Sequence, residues 1–136
     1  LSPDAGSVET LIHESSVPGL FDPRHLHQVL TVLVHNALKY GRSGEAPAQV
    51  RIRVASSGRN AVIDVTDRGP GIPDAVAAQL FRPFYTTSEH GTGLGLYIAR
   101  ELCRANQAQL DYVSVATGGA CFRLTLAATR GALAGH

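Results

Sequence analysis

The chain of 136 residues has no methionine, no tryptophan and only 6% aromatic residues. It has two cysteines, Cys103 and Cys121, with no C-x-x-C or other ligand spacing. That excludes a disulfide framework and a thiolate metal site and leaves reduced thiols as the default. No run approaches the roughly 18 apolar residues of a membrane helix, and no signal-peptide pattern occurs. The formal net charge is +1, so there is no basic field and nucleic-acid binding gains no support. What remains is 44% hydrophobic and 17% charged residues, the profile of one globular domain large enough for a core. Eleven of the twelve basic residues are arginine, and Lys39 is the sole lysine. The chain begins at Leu1, which reads as a segment of a longer protein.

Residues 1–7 are small and polar and read as a flexible end; 128–136, rich in Ala and Gly, read as a flexible tail. The folded unit is placed at 8–127. Residues 8–13 predict a first edge strand, followed by a turn over 15–19. Asp22 and Pro23 open a helix as N-cap and first helical residue. Leu26, Val29, Leu30, Leu33 and Ala37 follow helical spacing and form one apolar face. A polar loop over 41–47 ends that helix. Val50, Ile52 and Val54 alternate with Arg51 and Arg53, the pattern of a half-buried strand, and a turn over 56–60 returns the chain as a second strand over 61–67. Pro73 starts a short helix over 75–80. Leu94, Ile98, Leu102 and Ala105 predict a third helix. Residues 110–115 and 120–126 predict two further strands joined at Gly118-Gly119. The sum is an α/β (α+β) two-layer sandwich, a mixed sheet covered on one face by three helices.

Three clusters carry chemistry. Asn36, Lys39 and Tyr40 share one face of the first helix at i, i+3 and i+4. An Asn carbonyl is a hard oxygen ligand suited to Mg²⁺, Lys39 a point charge for phosphate, and Tyr40 a flat face for adenine. The same residues also suit a solvated helix end with a favourable C-terminal cation. Asp67 ends a strand in Asp67-Arg68-Gly69-Pro70-Gly71-Ile72. A carboxylate there can accept from the exocyclic amine of adenine, with Gly69 and Gly71 allowing close backbone approach; an ordinary Asp turn is the plainer reading. Gly91-Thr92-Gly93-Leu94-Gly95-Leu96 puts glycines before a helix start, where exposed N–H groups and the dipole favour phosphate. The spacing is neither G-x-G-x-x-G nor a Walker loop.

Together these stretches resemble the catalytic ATP-binding domain of sensor histidine kinases, within the Hsp90, gyrase and MutL type of ATPase fold, the Bergerat type. The resemblance covers roughly residues 8–127. It implies Asn36 as the Mg²⁺ ligand, Asp67 as the adenine reader, and a nucleotide pocket completed by Lys39, Tyr40, Gly69, Gly71, Ile72, Gly91, Thr92, Gly93, Leu94 and Gly95. Phe81-Arg82-Pro83-Phe84-Tyr85-Thr86-Thr87 resembles the aromatic box that hinges the lid, with Phe81 and Phe84 packed down as anchors and Thr86 and Thr87 placed to bond phosphates. The implied activity is transfer of the ATP γ-phosphoryl to a histidine on a separate dimerisation domain, and from there to a response regulator. The implied cofactors are ATP and Mg²⁺. No residue of this chain is the nucleophile or the general base, and a monomer without direct membrane contact is expected.

Leu20-Phe21-Asp22-Pro23, Gly95-Leu96-Tyr97-Ile98-Ala99-Arg100 and Leu102-Cys103-Arg104-Ala105-Asn106-Gln107-Ala108 are similar to those sensor kinases that control type IV pilus transcription. Such a parent is anchored in the inner membrane with this domain in the cytoplasm. Two departures stand out. Val32 occupies the position, four before Asn36, where the ATPases of this fold carry a water-polarising Glu. The lid is short and has no Lys or Arg between Tyr85 and Gly91, which leaves Arg82 or His90 to contact phosphate. These departures make a catalytically weak nucleotide-binding switch one alternative; an ATPase or serine kinase of the same fold is the other, with Val32 arguing against the ATPase. His13-Glu14 with Pro18 imitates a phosphoacceptor histidine but reads as strand exit and turn.

Overall fold

The computed structural model describes residues 7–12, 21–40, 49–86, 93–115 and 118–127. The expected turn at 15–19, the loop at 41–47, His13, Thr87, His90, Gly91, Thr92 and the tail at 128–136 lie outside them.

Five strands form one sheet: β1 (Ser7–Ile12), β2 (Gln49–Ser57), β3 (Asn60–Asp67), β4 (Gln109–Ser114) and β5 (Ala120–Ala127). Their order is β1-β2-β3-β5-β4, with β1 parallel to β2 and every other pair antiparallel. β1 begins at Ser7, one residue earlier than the sequence suggests. Three helices accompany the sheet: α1 (Pro23–Tyr40), α2 (Asp74–Ala77) and α3 (Gly95–Ala105). Among the described residues, no helix is long and apolar enough to cross a membrane.

Side-chain alternation divides the sheet into two faces. On one, Val54, Ile63, Leu124 and Leu110 lie in one register row, and Ile52, Val65, Phe122 and Tyr112 in the next. These rows meet Val29, Leu33 and Ala37 of α1 and Ala99 and Cys103 of α3 in a single buried core. The Phe122 ring takes edge contacts from Phe81 at 6.2 Å and Tyr112 at 5.6 Å between centroids. On the other face, Arg53, Asp64, Arg123 and Asp111 stand side by side across four strands, alternating in charge. There Arg123 grips Asp64 with two hydrogen bonds, Nε to Oδ1 at 2.8 Å and Nη2 to Oδ2 at 3.1 Å.

α1 starts as its sequence dictates. The Asp22 carboxylate accepts from Arg24 N–H at 2.9 Å, and its carbonyl accepts from Leu26 N–H at 2.9 Å. The Arg24 N–H bond holds the Asp22 carboxyl below its ordinary range. Asn106, just past α3, ties the two helices together: its Oδ1 accepts from Asp22 N–H at 2.9 Å, and its amide nitrogen donates to Leu102 O at 2.7 Å and meets His25 Nδ1 at 3.0 Å. At the other end of the pair, a Cβ on Gly95 would lie 3.5 Å from Val32 Cγ1. The helices therefore run antiparallel, which sets Val32, at mid-helix, against the start of α3 and carries the last turns of α1 past it.

The third helix forms where the sequence predicts it, with a buried face other than the stripe that signals it, and two expectations need correction. The buried face of α3 is Ala99 and Cys103, with Leu96 and Leu102 beside them, whereas Ile98 is 39% exposed and Ala105 is also exposed. Small side chains win the inner positions because the helices approach closely. The short helix spans Asp74–Ala77 and buries no residue; turns replace it over 78–84. Phe84 does not pack down: it is 74% exposed.

Candidate functional site

At the Asp67 end of the sheet three pieces of chain converge: the end of β3, the segment 68–73, and Gly119 and Ala120 at the start of β5. Asp67 is the chemical centre. Among the described residues its hydrogen bonds come from main-chain N–H groups, Gly69 at 2.8 Å and Ala120 at 3.3 Å, and both fall on Oδ1. Burial raises the Asp67 carboxyl above its ordinary range, with those two N–H bonds pulling it back. No described residue donates to the second oxygen. Gly69 is buried beneath it, while Gly71 and Ile72 are half-buried, Ile72 against the core.

The phosphate side is built from backbone. Leu94 caps α3 without a side-chain bond, and the first turn of α3 holds no acidic residue. Its N–H groups and the positive end of its dipole thus face a potential anion. Gly93 has φ +73, and a Cβ there would fall on the Phe84 backbone. That close approach lets Phe84 N–H donate to Gly93 O at 2.8 Å. The bond fixes Phe84 at φ 67 and turns its ring outward, which explains the exposed aromatic. Phe81, in contrast, is the anchor expected: it packs on Phe122, and the Arg100 guanidinium sits 4.4 Å above its ring.

Asn36 is half-buried and Lys39 exposed on the last turns of α1, beyond Val32; Tyr40 is the last residue of that helix. Thr86 is exposed. Thr87, Gly91 and Thr92 lie outside the described residues. Among the described residues no group of three or more His, Cys, Asp or Glu side chains gathers as a metal cage. One amide oxygen from Asn36 suits a partly hydrated Mg²⁺ carried by phosphates better than a resident metal. The donor set fits a Mg²⁺–nucleotide: a half-buried carboxylate whose second oxygen receives no bond from the described residues, a glycine-lined approach, and a helix start with no acidic residue in its first turn. Val32 packs at the α1–α3 seam, partly buried against the core, and offers no base.

The sequence reading missed Gly119 and Ala120 as parts of this site. It saw a strand junction there. The available signal was a pair of glycines opening a strand, but nothing in the sequence placed that strand beside β3. The two thiols play no part: burial removes Cys103 and Cys121 from solvent and pushes both up to about 11.

Comparison with known proteins shows the family and the fold. Residues 21–130 match the family described as histidine kinase-, DNA gyrase B-, and HSP90-like ATPase. The sensor protein kinase PilS of Pseudomonas aeruginosa is 46% identical over 111 residues, 80% of this chain and 21% of PilS. The C4-dicarboxylate transport sensor protein DctS of Rhodobacter capsulatus is 39% identical over 115 residues, 83% of this chain and 18% of DctS. The chain thus spans about a fifth of the length of these curated relatives. Among solved structures, the catalytic domain of histidine kinase ThkA superposes with TM-score 0.76 at 24% identity, covering 90% of this chain and 80% of that one, a likeness of fold. Full-length ShkA in complex with AMPPNP superposes with TM-score 0.70 at 28% identity, covering 88% of this chain and 25% of ShkA.

Proposed function

Because the chain belongs to the histidine kinase-, DNA gyrase B- and HSP90-like ATPase family, we propose that it is the ATP-binding catalytic domain of a two-component sensor histidine kinase. The Asp67 carboxylate carries this reading. It is half-buried, held at Oδ1 by two main-chain N–H groups, and receives no bond at its other oxygen from the described residues, which leaves that oxygen for the adenine amine. Asp67 selects the base, with Ile72 against its ring and Gly69 and Gly71 allowing close approach. Asn36 holds Mg²⁺, which neutralises phosphate charge when bound. The phosphates are assigned to Lys39, Thr86, Thr87, Gly91, Thr92, Gly93, Leu94 and Gly95, and the flat face of the base to Tyr40, roles that the family resemblance supports. These residues position and neutralise, which is most of what phosphoryl transfer requires. The γ-phosphoryl passes to a histidine nitrogen on a separate dimerisation domain, giving phosphohistidine and ADP, and then to a response regulator.

Calorimetric titration of ATP, with and without Mg²⁺, tests the pocket. Binding in the micromolar range that Asp67→Asn weakens supports the reading; equal binding by both chains sinks it. Phosphate transfer to an added histidine domain tests the chemistry.

Val32 favours one second reading, a nucleotide-binding switch without transfer. ATP binding with no phosphohistidine on reconstitution would establish that reading. An ATPase is disfavoured by the same residue, since valine cannot polarise water; steady release of phosphate by the isolated chain would reverse that judgement. The similarity to PilS supports a role in type IV pilus regulation and an inner-membrane anchor on the parent protein, with this domain on the cytoplasmic side. Loss of pilus transcription on deleting the parent gene is the expected phenotype.

A further inference from the structure

The β4–β5 turn contains two successive glycines in the left-handed region, Gly118 at φ +93 and Gly119 at φ +86. Their surroundings differ completely. A Cβ on Gly118 would meet nothing within 4 Å. A Cβ on Gly119 would fall on the Asp67 carbonyl oxygen, 3.1 Å from the Asp67 carbonyl carbon and 3.3 Å from Arg68 Cα. The contact continues past Asp67, because a Cβ on Gly71 would lie 3.1 Å from Gly119 O. The next residue, Ala120, donates its N–H to Asp67 Oδ1 at 3.3 Å. One turn, 51 positions beyond Asp67 in the chain (118 against 67), thus touches the carboxylate residue at both its main chain and its side chain.

We propose that Gly119 is a positioning residue for nucleobase selection. Its missing side chain lets the β4–β5 turn close on Asp67 and Gly71, which brings the Ala120 N–H onto Oδ1 and fixes the oxygen that accepts from the adenine amine. The role rests on the reading of Asp67 as the adenine acceptor. Any side chain at Gly119 displaces either the turn or Asp67. A displaced Asp67 loses discrimination for the amine while leaving phosphate binding in place. Gly118 supplies the control, since its substitution imposes the same backbone strain with no collision.

The test is titration of ATP and of purine riboside triphosphate, which lacks the 6-amino group, into the parent chain, Gly119→Ala and Gly118→Ala. The parent should prefer ATP by roughly tenfold or more, the worth of a hydrogen bond to a charged acceptor. Gly119→Ala should bring that ratio close to one, with purine riboside triphosphate bound nearly as before. Gly118→Ala should keep the parent's ratio, even with a lower melting temperature. If Gly119→Ala keeps the ratio, or if Gly118→Ala loses it equally, the positioning role is overturned. A parent chain without preference overturns the adenine reading itself and this role with it. Should Gly119→Ala fail to fold, the parent chain still decides. In a pH titration followed by NMR, the Ala120 and Gly69 amide protons should shift with one common midpoint, that of the Asp67 carboxyl. An Ala120 amide blind to that titration would overturn the role.

Discussion

Asp64 and Asp67 stand three residues apart on β3, on opposite faces of the sheet, and are treated in opposite ways. Asp64 is 8% exposed and gripped by both arms of Arg123 within a row of alternating charges. Its lone pairs are spent inside the fold. Asp67 is also partly buried, yet among the described residues it receives main-chain N–H groups at one oxygen and no arginine. Burial therefore disfavours its charge. The fold neutralises one carboxylate and leaves the other wanting a donor. On the proposed function, the contrast separates a carboxylate that holds the sheet together from one that holds a ligand, although residue type and strand are the same.

The comparison can be broken first at Arg123. Arg123→Ala leaves Asp64 buried without its partner and should cost about 2–3 kcal/mol in denaturant unfolding. That is less than a fully buried pair would cost, because the Arg123 side chain is 43% exposed. ATP affinity should stay unchanged; a large loss of binding would deny the division between the two carboxylates. Asp67→Asn should do the reverse. It should weaken ATP binding by about 2 kcal/mol, roughly thirtyfold, while thermal stability holds or rises because a charge disfavoured by burial is gone.

A change far from both residues calibrates the contrast. Gln107 ends α3 at φ 58, a left-handed conformation costly for any residue with a Cβ. Gln107→Gly should stabilise the chain by about 1 kcal/mol without altering ATP affinity, as measured by melting and titration together. The smallest effect is that of pH. The folded-state carboxyl of Asp67 is raised, so its ionised form weakens folding as pH rises through that value, while ATP binding needs the ionised form. ATP affinity should fall on acidification, reaching about a twofold loss at half-protonation, at a pH above the ordinary aspartate range. Asp67→Asn should abolish this dependence.

Much of this was legible in the sequence where local rules govern. Asp22-Pro23 and the stripe through Val29, Leu33 and Ala37 set α1, and strict alternation set β2. Asp67 could be placed at a strand end because glycines follow it. Three features escaped because they depend on what comes near from elsewhere. Hydropathy ranks Ile98 above Ala99, but the α1–α3 approach requires small groups at the inner positions. Phe84 looks like core until its N–H is claimed by Gly93, which turns the ring outward. Gly119 looks like any turn glycine until β5 is laid between β3 and β4, a strand order that no local pattern encodes.

The state of the two cysteines has a practical side. Both thiols are buried and shifted to about 11, so neither competes for a mild alkylating dye near neutral pH. A cysteine introduced at Arg59, in the β2–β3 turn, would then be the single addressable handle. That turn lies at the opposite end of β3 from Asp67, roughly 23 Å away at the rise of an extended strand. A chain tethered to a sensor surface through it would stand with its nucleotide end facing the solution, every molecule in the same orientation.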